Sequence, residues 1–364
     1  MKSVRLRLLI LALLPLVVLM PALLAVAVGR WSANYDALLI TNVETDLRVA
    51  DQYVQRILTT TGGDVTALAR SLRFDRALRE DGADLSGFLD RERDTLGLDF
   101  LYYLPRARTG DTGWPVIARA AAGVPATEID LFAQDDLAAL PGTGPALADR
   151  ALVPLIPTKA AVPTTRTVED RGMVVHSATP VTTDGREGVL VGGILLNRNL
   201  DFIDTINALV YRDSGAPGAR QGTATLFLED VRVSTNVRLF EGSRALGTRV
   251  SAAVRHAVLD EGRTWLDSAF VVNDWYMSAY RPIIDSTGDR IGMLYVGFLQ
   301  APFDAAKRNA YLIVFTAFLA VVALSAPLFL RLARNIFAPL ERMTRTMERV
   351  EAGDLEARIG PVPA

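Results

Sequence analysis

The chain contains no cysteine, which excludes disulfide scaffolds, thiolate metal sites and cysteine nucleophiles together. Histidine is limited to His176 and His256, leaving little from which to build a metal site or a hydrolytic triad. Lysine occurs only as Lys2, Lys159 and Lys307, and neither a Gly-x-x-x-x-Gly-Lys phosphate loop nor an ATP lid can be found. A net charge of −2 over 364 residues lacks the basic excess of a nucleic-acid-binding surface. No metal, cofactor or catalytic core is expected. What is abundant is apolar: 50% hydrophobic against 22% charged residues, with a positive mean hydropathy. That balance places part of the chain in lipid while leaving enough polypeptide for a sizeable folded core.

Two uncharged runs account for the excess, Leu8–Gly29 and Asn309–Leu330. As helices at about 1.5 Å per residue each reaches roughly 33 Å, enough for the ~30 Å hydrocarbon core, and Pro15, Pro21 and Pro327 are tolerated in lipid-embedded helices. Lys2, Arg5 and Arg7 precede the first run, and Arg331, Arg334, Arg342, Arg345 and Arg349 follow the second. The basic excess therefore puts both termini in the cytoplasm and the long middle outside, in the inner (plasma) membrane with lipid as an obligatory partner. The expected organisation is a cytoplasmic N-terminus at 1–7, a first span at 8–29, an outer region at 30–308, a second span at 309–330 and a tail at 331–364. A cleaved signal peptide is the alternative for the first run, since Ala25-Val26-Ala27 has the small-x-small form.

After the first span, Ile40, Val43, Leu47, Ala50, Val54 and Ile57 step by three and four, the seam of a long helix that must pack on its own domain or on a second copy. Gly62-Gly63 are expected to end it. Beyond about residue 97 short β runs follow at 98–104, 116–120, 173–179 and 189–196, with 121–165 reading as loop. A second β series occupies 223–228, 231–235, 264–272, 275–282 and 291–299, with a short helix after Asn199 and another at 249–261. The acidic pairs Glu169-Asp170 and Glu229-Asp230 are no general acid–base dyads, because neighbours on a strand point to opposite faces; turns explain them better. His176 lies in His-Ser-Ala-Thr-Pro, an accidental likeness to a phosphoacceptor segment on an outer strand.

The ends of the two series echo one another. Ser177-Ala178-Thr179-Pro180, Asp184-Gly185 and Gly188-Val189-Leu190-Val191-Gly192-Gly193 parallel Ser278-Ala279-Tyr280-Arg281-Pro282, Gly288 and Gly292-Met293-Leu294-Tyr295-Val296-Gly297, about a hundred residues later. Two copies of one small unit, at about 31–200 and 201–308, is the economical reading. Phe227–Asn236, Gly247–Ser251, Phe270–Tyr276 and Ile291–Gly297 resemble the Cache family of extracytoplasmic sensor domains, and the double form of that family fits the repeat. The resemblance implies an α+β, PAS-like fold in each unit, with a long N-terminal helix along an antiparallel sheet that cups a small molecule.

In the tail, Ile336, Leu340, Met343, Met347 and Val350 step by four and three, an apolar seam on a helix continuous with the second span. Pro339-Leu340 and Gly353-Asp354-Leu355 resemble the first helix and connector of a HAMP signal relay, here partial because the second helix of that pattern lies beyond Ala364. One helix cannot bury Leu340, Met343, Met347 and Val350, so the tail demands a homodimer.

Ligand candidates are groups able to stack on or hydrogen-bond a small molecule: Arg232, Thr235, Asn236, Trp275, Tyr276 and Tyr280 in the second unit, and Tyr102, Tyr103, Arg119 and His176 in the first. Strand aromatics more often pack in cores. Alternation puts Tyr276, Ser278 and Tyr280 on one face and Trp275, Met277 and Ala279 on the other. The planar fork of Arg232 suits a carboxylate, although a surface salt bridge fits it equally. The expectation is a sensor for a small outer ligand, an organic acid or an amino acid, relayed to an output outside this chain. Resemblance makes that output a histidine kinase first and a chemotaxis receptor second. A membrane-anchored binding module with an inert tail is the reading from another class.

Overall fold

The computed structural model describes residues 18–79, 85–183, 186–211, 222–239 and 242–353, without the side chains of 326, 329–330, 332–334, 336–342 and 345. The chain divides into two compact units, residues 39–301 and the two ends, up to 38 and from 302.

Residues 39–301 are α+β. Helix α1, Met20–Ala69, contributes Val43, Leu47, Ala50 and Val54 as fully or nearly fully buried residues. The heptad seam is therefore covered by the chain's own domain. The helix runs through Gly62-Gly63 rather than ending there. Two glycines cost it about 2 kcal/mol of propensity, but Thr61, Val65 and Leu68 are buried on either side of them, and tertiary packing outweighs that cost. At Gly62 an added Cβ would meet the Thr127 hydroxyl, so the helix needs glycine there to lie close to the sheet.

After α2 (Leu72–Arg79) and α3 (Leu85–Leu96), the first sheet has strand order β1-β6-β5-β2, with β1 Phe100–Pro105, β2 Ala126–Phe132, β5 Gly172–Thr183 and β6 Arg186–Leu195. Its neighbours are all antiparallel. One face carries Leu101 and Leu190 against Val65, Leu68, Phe74, Leu78 and Leu89 of the helices. The other carries Phe100, Val174, Ala178 and Val191 against α4 (Pro115–Ala121), α5 (Gln134–Ala138) and α6 (Gly144–Ala151). Two expectations fail here. Residues 116–120 are helical, started by Pro115 at its first turn, where proline is preorganised. The stretch 121–165 holds β2, α5, α6 and the short strand β3, Val153–Pro154, paired with β4, Val168–Glu169. Short amphipathic pieces rich in Ala, Pro and Gly show too little periodicity to reveal themselves.

The second sheet follows α7, Leu200–Val210, which is capped by the Asn199 side-chain Oδ1 accepting from the Phe202 amide. Its order is β8-β7-β11-β10-β9, with β7 Gly222–Leu228, β8 Val231–Thr235, β9 Trp265–Val271, β10 Asp274–Ile284 and β11 Arg290–Leu299. The turn α8, Ala252–Arg255, continues as a π turn to Asp260 and covers one face of this sheet with Val254, Val258 and Leu259.

In the other unit, α9 runs Ala301–Glu351. Within it Ala301–Ser325 is long and apolar enough to cross a membrane, the one such segment among the described residues. Residues 8–17 of the first expected span lie outside the described residues; the rest of it is described, and from Met20 it is the start of α1. Asp354 and Leu355 also lie outside them, as do the side chains of Pro339 and Leu340.

Candidate functional site

The second sheet gathers a polar cluster around one arginine. Strands β7 and β8 meet at the turn Glu229-Asp230, where Glu229 takes a positive φ of 48°. Pairing begins Thr225↔Thr235 and Leu226↔Ser234, then slips so that Phe227 opposes Arg232. Such a bulge inserts one extra residue into a strand. Arg232 and Thr235, three apart, thereby reach the same face as Thr225 and Phe227. The next strands extend the row: Thr225 opposes Tyr295, and Tyr295 opposes Tyr280. The rings of Tyr280 and Tyr295 lie 4.6 Å apart, and Phe227 sits 6.0 Å from Tyr280.

Arg232 is 3% exposed, and no carboxylate pairs with it among the described residues. Its Nη1 donates long bonds to Thr225 Oγ1 at 3.4 Å and Thr235 Oγ1 at 3.5 Å, its Cζ lies 5.0 Å from the Phe227 ring centre, and its Nε has no partner. Burying an ion costs several kcal/mol. A desolvated cation–π contact returns about 2 kcal/mol, and bonds of 3.4–3.5 Å to hydroxyls already engaged with each other at 2.7 Å return little. Burial accordingly pulls the Arg232 pKa down, opposed by its tyrosine neighbours. The same burial pushes the Tyr295 hydroxyl up to about 12 and raises Tyr280 and Tyr276. The site is a buried cation ringed by neutral phenols, suited to receive a negative group.

The other sequence-named residues separate. Tyr276, half-buried, and Tyr280 share the face of Arg232, as alternation requires. Asn236 lies beside it but accepts from the Ala224 amide at 2.7 Å, holding the sheet edge. Trp275 is 54% exposed and packs edge-on with Phe270 at 5.8 Å, away from the cluster. Phe227, Thr225 and Tyr295 belong to the site, although the sequence reading did not name them. The bulge that aligns them leaves no compositional mark, while the two-residue alternation of β11 is the signal that could have found Tyr295.

In the first sheet, Tyr102, Tyr103, Arg119 and His176 do not converge. Tyr102 packs near Phe100, and its burial raises its pKa to about 12. Tyr103 points the other way and lines a cleft of about 520 Å³ with Leu78, Arg106, Arg186 and Glu187. Arg119 pairs at the surface with Glu128 at 3.1 Å. His176 is wholly buried, its Nδ1 2.8 Å from Asp130 Oδ2 and its ring edge-on to Phe132 at 5.1 Å and Trp114 at 5.6 Å. The second oxygen of Asp130 accepts from the Ser286 amide of the β10–β11 turn at 3.1 Å. This pair therefore ties one sheet to the other.

At the two ends of the chain, Trp31 stacks on Tyr35 at 5.5 Å and meets Tyr311 edge-on at 6.1 Å. Lys307 pairs with Asp36 and lies 5.6 Å from the Tyr35 ring centre. On the tail, Met343, Met347 and Val350 are exposed and Gly353 has φ of 97°, as a helix-ending glycine requires. No cluster able to hold a metal occurs among the described residues.

Residues 194–310 match the family model described as single Cache domain 3, and residues 331–363 match the HAMP domain. The search of curated proteins finds no match. Among solved structures, the periplasmic domain of Vibrio cholerae LuxQ aligns at 11% identity and TM-score 0.39, covering 70% of this chain and 98% of that one. The sensory domain of the Campylobacter jejuni chemoreceptor Tlp3 with isoleucine bound aligns at 11% identity and TM-score 0.33, covering 74% and 94%. The ligand-binding domain of the Pseudomonas aeruginosa amino acid chemoreceptor PctB with L-Arg aligns at 13% and 0.30, covering 72% and 94%. Likenesses this distant say nothing about what this chain binds. Two segments of the chain are thus similar to known families, residues 194–310 to single Cache domain 3 and residues 331–363 to the HAMP domain.

Proposed function

We propose that this chain is the sensory half of a transmembrane signal transducer. A small extracytoplasmic ligand binds in the outer region, and the change passes through the membrane to the HAMP segment. One observation carries the reading: the Cache match, the membrane-length apolar segment and the start of the HAMP match follow one another without a break, the last two in the single helix α9. The organisation we propose keeps two spans, 8–29 and 309–330, with both termini cytoplasmic. We read the first sheet as a second, diverged Cache-like unit, supported by the matching central hairpins β5–β6 and β10–β11. The exposed seam of Met343, Met347 and Val350 supports a homodimer, because a partner helix would cover it. A histidine kinase is the output we assign, on the resemblance of the second-unit strands.

For a ligand to drive such a relay it must favour one of two arrangements; shifting 1:99 to 99:1 takes about 5.5 kcal/mol of differential affinity. The topology is directly testable because the chain has no cysteine, so single cysteines report cleanly. In intact cells a membrane-impermeant maleimide is expected to label Leu72→Cys, at an exposed site. Met347→Cys should label only after lysis. Labelling of Met347→Cys in intact cells, or protection of Leu72→Cys, would refute the proposed orientation.

A further inference from the structure

We infer that the groove between the start of α1 and the first turns of α9 holds one anionic phospholipid, with its phosphate on Arg308 and one acyl chain along the apolar walls. This rests on the reading of α9 as a membrane span and names a ligand of the span itself.

Three observations carry it. The first is shape. The groove lies wholly within the unit formed by the two ends of the chain. There Asp36 pairs with Lys307 and Trp31 meets Tyr311, so falling numbers on α1 meet rising numbers on α9 and the two helices run antiparallel. Between them is a space of about 490 Å³, walled by Leu24, Ala25 and Val28 on one side and by Leu312, Phe315 and Phe318 on the other. Both sets recur at the spacing of one helix face, and Ala25 is the small residue that leaves the space open.

The second is charge. Arg308 also lines the groove, and it makes no hydrogen bond or ion pair among the described residues. Its neighbour Lys307 is held by Asp36, while Asp304, one turn back on the same helix, does not pair with Arg308. No acidic residue occurs from Val18 to Tyr35 or from Ala305 to Leu330, so these stretches of a second copy would bring no anion to the guanidinium. Counting Arg30, Asp36, Asp304, Lys307 and Arg308 together, three cations stand against two acids.

The third is depth. From Arg308 to Phe318 the helix advances roughly 15 Å at about 1.5 Å per residue, half the ~30 Å hydrocarbon core. The groove is therefore one leaflet deep, with its cation at the level of Trp31 and Tyr311, rings of the kind that settle among lipid headgroups. A phosphodiester supplies the anion that Arg308 lacks, as basic pockets between spanning helices do for phospholipids, and its acyl chain covers the apolar walls. A zwitterionic headgroup serves less well, because its ammonium joins a site that already has a cation in excess.

The test takes the full chain from equimolar phosphatidylglycerol and phosphatidylethanolamine vesicles into detergent, washes it, and counts the lipid retained by mass spectrometry. A single phosphatidylglycerol per chain is expected, in preference to phosphatidylethanolamine; equal retention of the two, or of neither, overturns the inference. Arg308→Gln should lower retention about tenfold or more, the worth of one charge-assisted hydrogen bond. Ala25→Phe, which fills the groove and leaves the charge, should lower it as well, whereas Arg30→Gln should leave it unchanged. Undiminished retention in either of the first two variants, or an equal loss in Arg30→Gln, would mean a diffuse basic belt in place of a site. Because the chain has no cysteine, Leu312→Cys asks whether a second copy covers the groove: it should stay uncrosslinked on oxidation in the membrane, and efficient disulfide dimers would sink the proposal. The result is separable from the topology. Phosphatidylglycerol retained with the cysteine labelling pattern reversed removes the proposed orientation alone, and the expected labelling without retention removes this inference alone.

Discussion

Asp130 shows how much one buried carboxylate can organise. Burial alone would raise its pKa, but the bonds from His176 and Ser286 outweigh that and hold it below the ordinary aspartate value. A carboxylate depressed in this way contributes stability that is complete above the unfolded-state pKa, near 4, and is lost as pH falls through the folded value. Asp130→Asn is therefore expected to cost about 1–3 kcal/mol at pH 7, the worth of a charged hydrogen bond. The gap between the wild-type and variant Tm should narrow at pH 3. A gap that stays constant between pH 7 and pH 3 would place the effect in shape rather than charge. His176 stood out in the sequence as one of two histidines; Asp130 did not, because the strand that carries it sits inside a stretch without visible β periodicity. The partner became identifiable only when β2 paired with β5 and set the two side chains on one face.

At the scale of elements, two helical seams of the same spacing have opposite fates. On α1, Val43, Leu47, Ala50 and Val54 are buried by the chain's own fold; on α9, Met343, Met347 and Val350 are not. Leu47→Ala should destabilise the region 39–301 by about 2–5 kcal/mol, the cost of removing core methyls and leaving a cavity. Met347→Ala should leave its denaturant midpoint unchanged within about 0.5 kcal/mol, as exposed substitutions do. A comparable loss in both would mean that the α9 seam also supports the fold of residues 39–301. The spacing made both stripes legible from sequence. It could not say what covers each, since periodicity records only that a face is apolar. The expected helix end at Gly62-Gly63 failed for the complementary reason: propensity is a small local term, and burial of the flanking turns exceeds it.

Across residues 39–301 the two sheets are bound by more than sequence adjacency. Ser286 donates to Asp130, Arg171 to Glu229 at 2.8 Å, and the segment after β3 crosses to the second sheet through Ile156 to Gly247, Ala252 to Ala160 and Arg249 to Val162. At Gly247, with φ of 79°, an added Cβ would lie 1.9 Å from the Pro154 carbonyl oxygen, so the crossing depends on glycine. These links predict one cooperative transition. Variants retaining only Trp114, in the first core, or only Trp265, in the second, should show coincident midpoints in urea; separated midpoints would mean that the sheets unfold independently.

The order of parts was written in the chain before any folding: an apolar run, an α+β region, a second run and a heptad tail each have a local signature, because hydropathy and periodicity act over neighbouring residues. The hairpins β5–β6 and β10–β11 were readable for the same reason. The site was not. Arg232 faces Tyr280 and Tyr295 only because a bulge in one strand and the registers of two others agree, and an arginine's burial without an acid depends on everything packed around it. Those are long-range facts, settled by which strands pair and what closes over them.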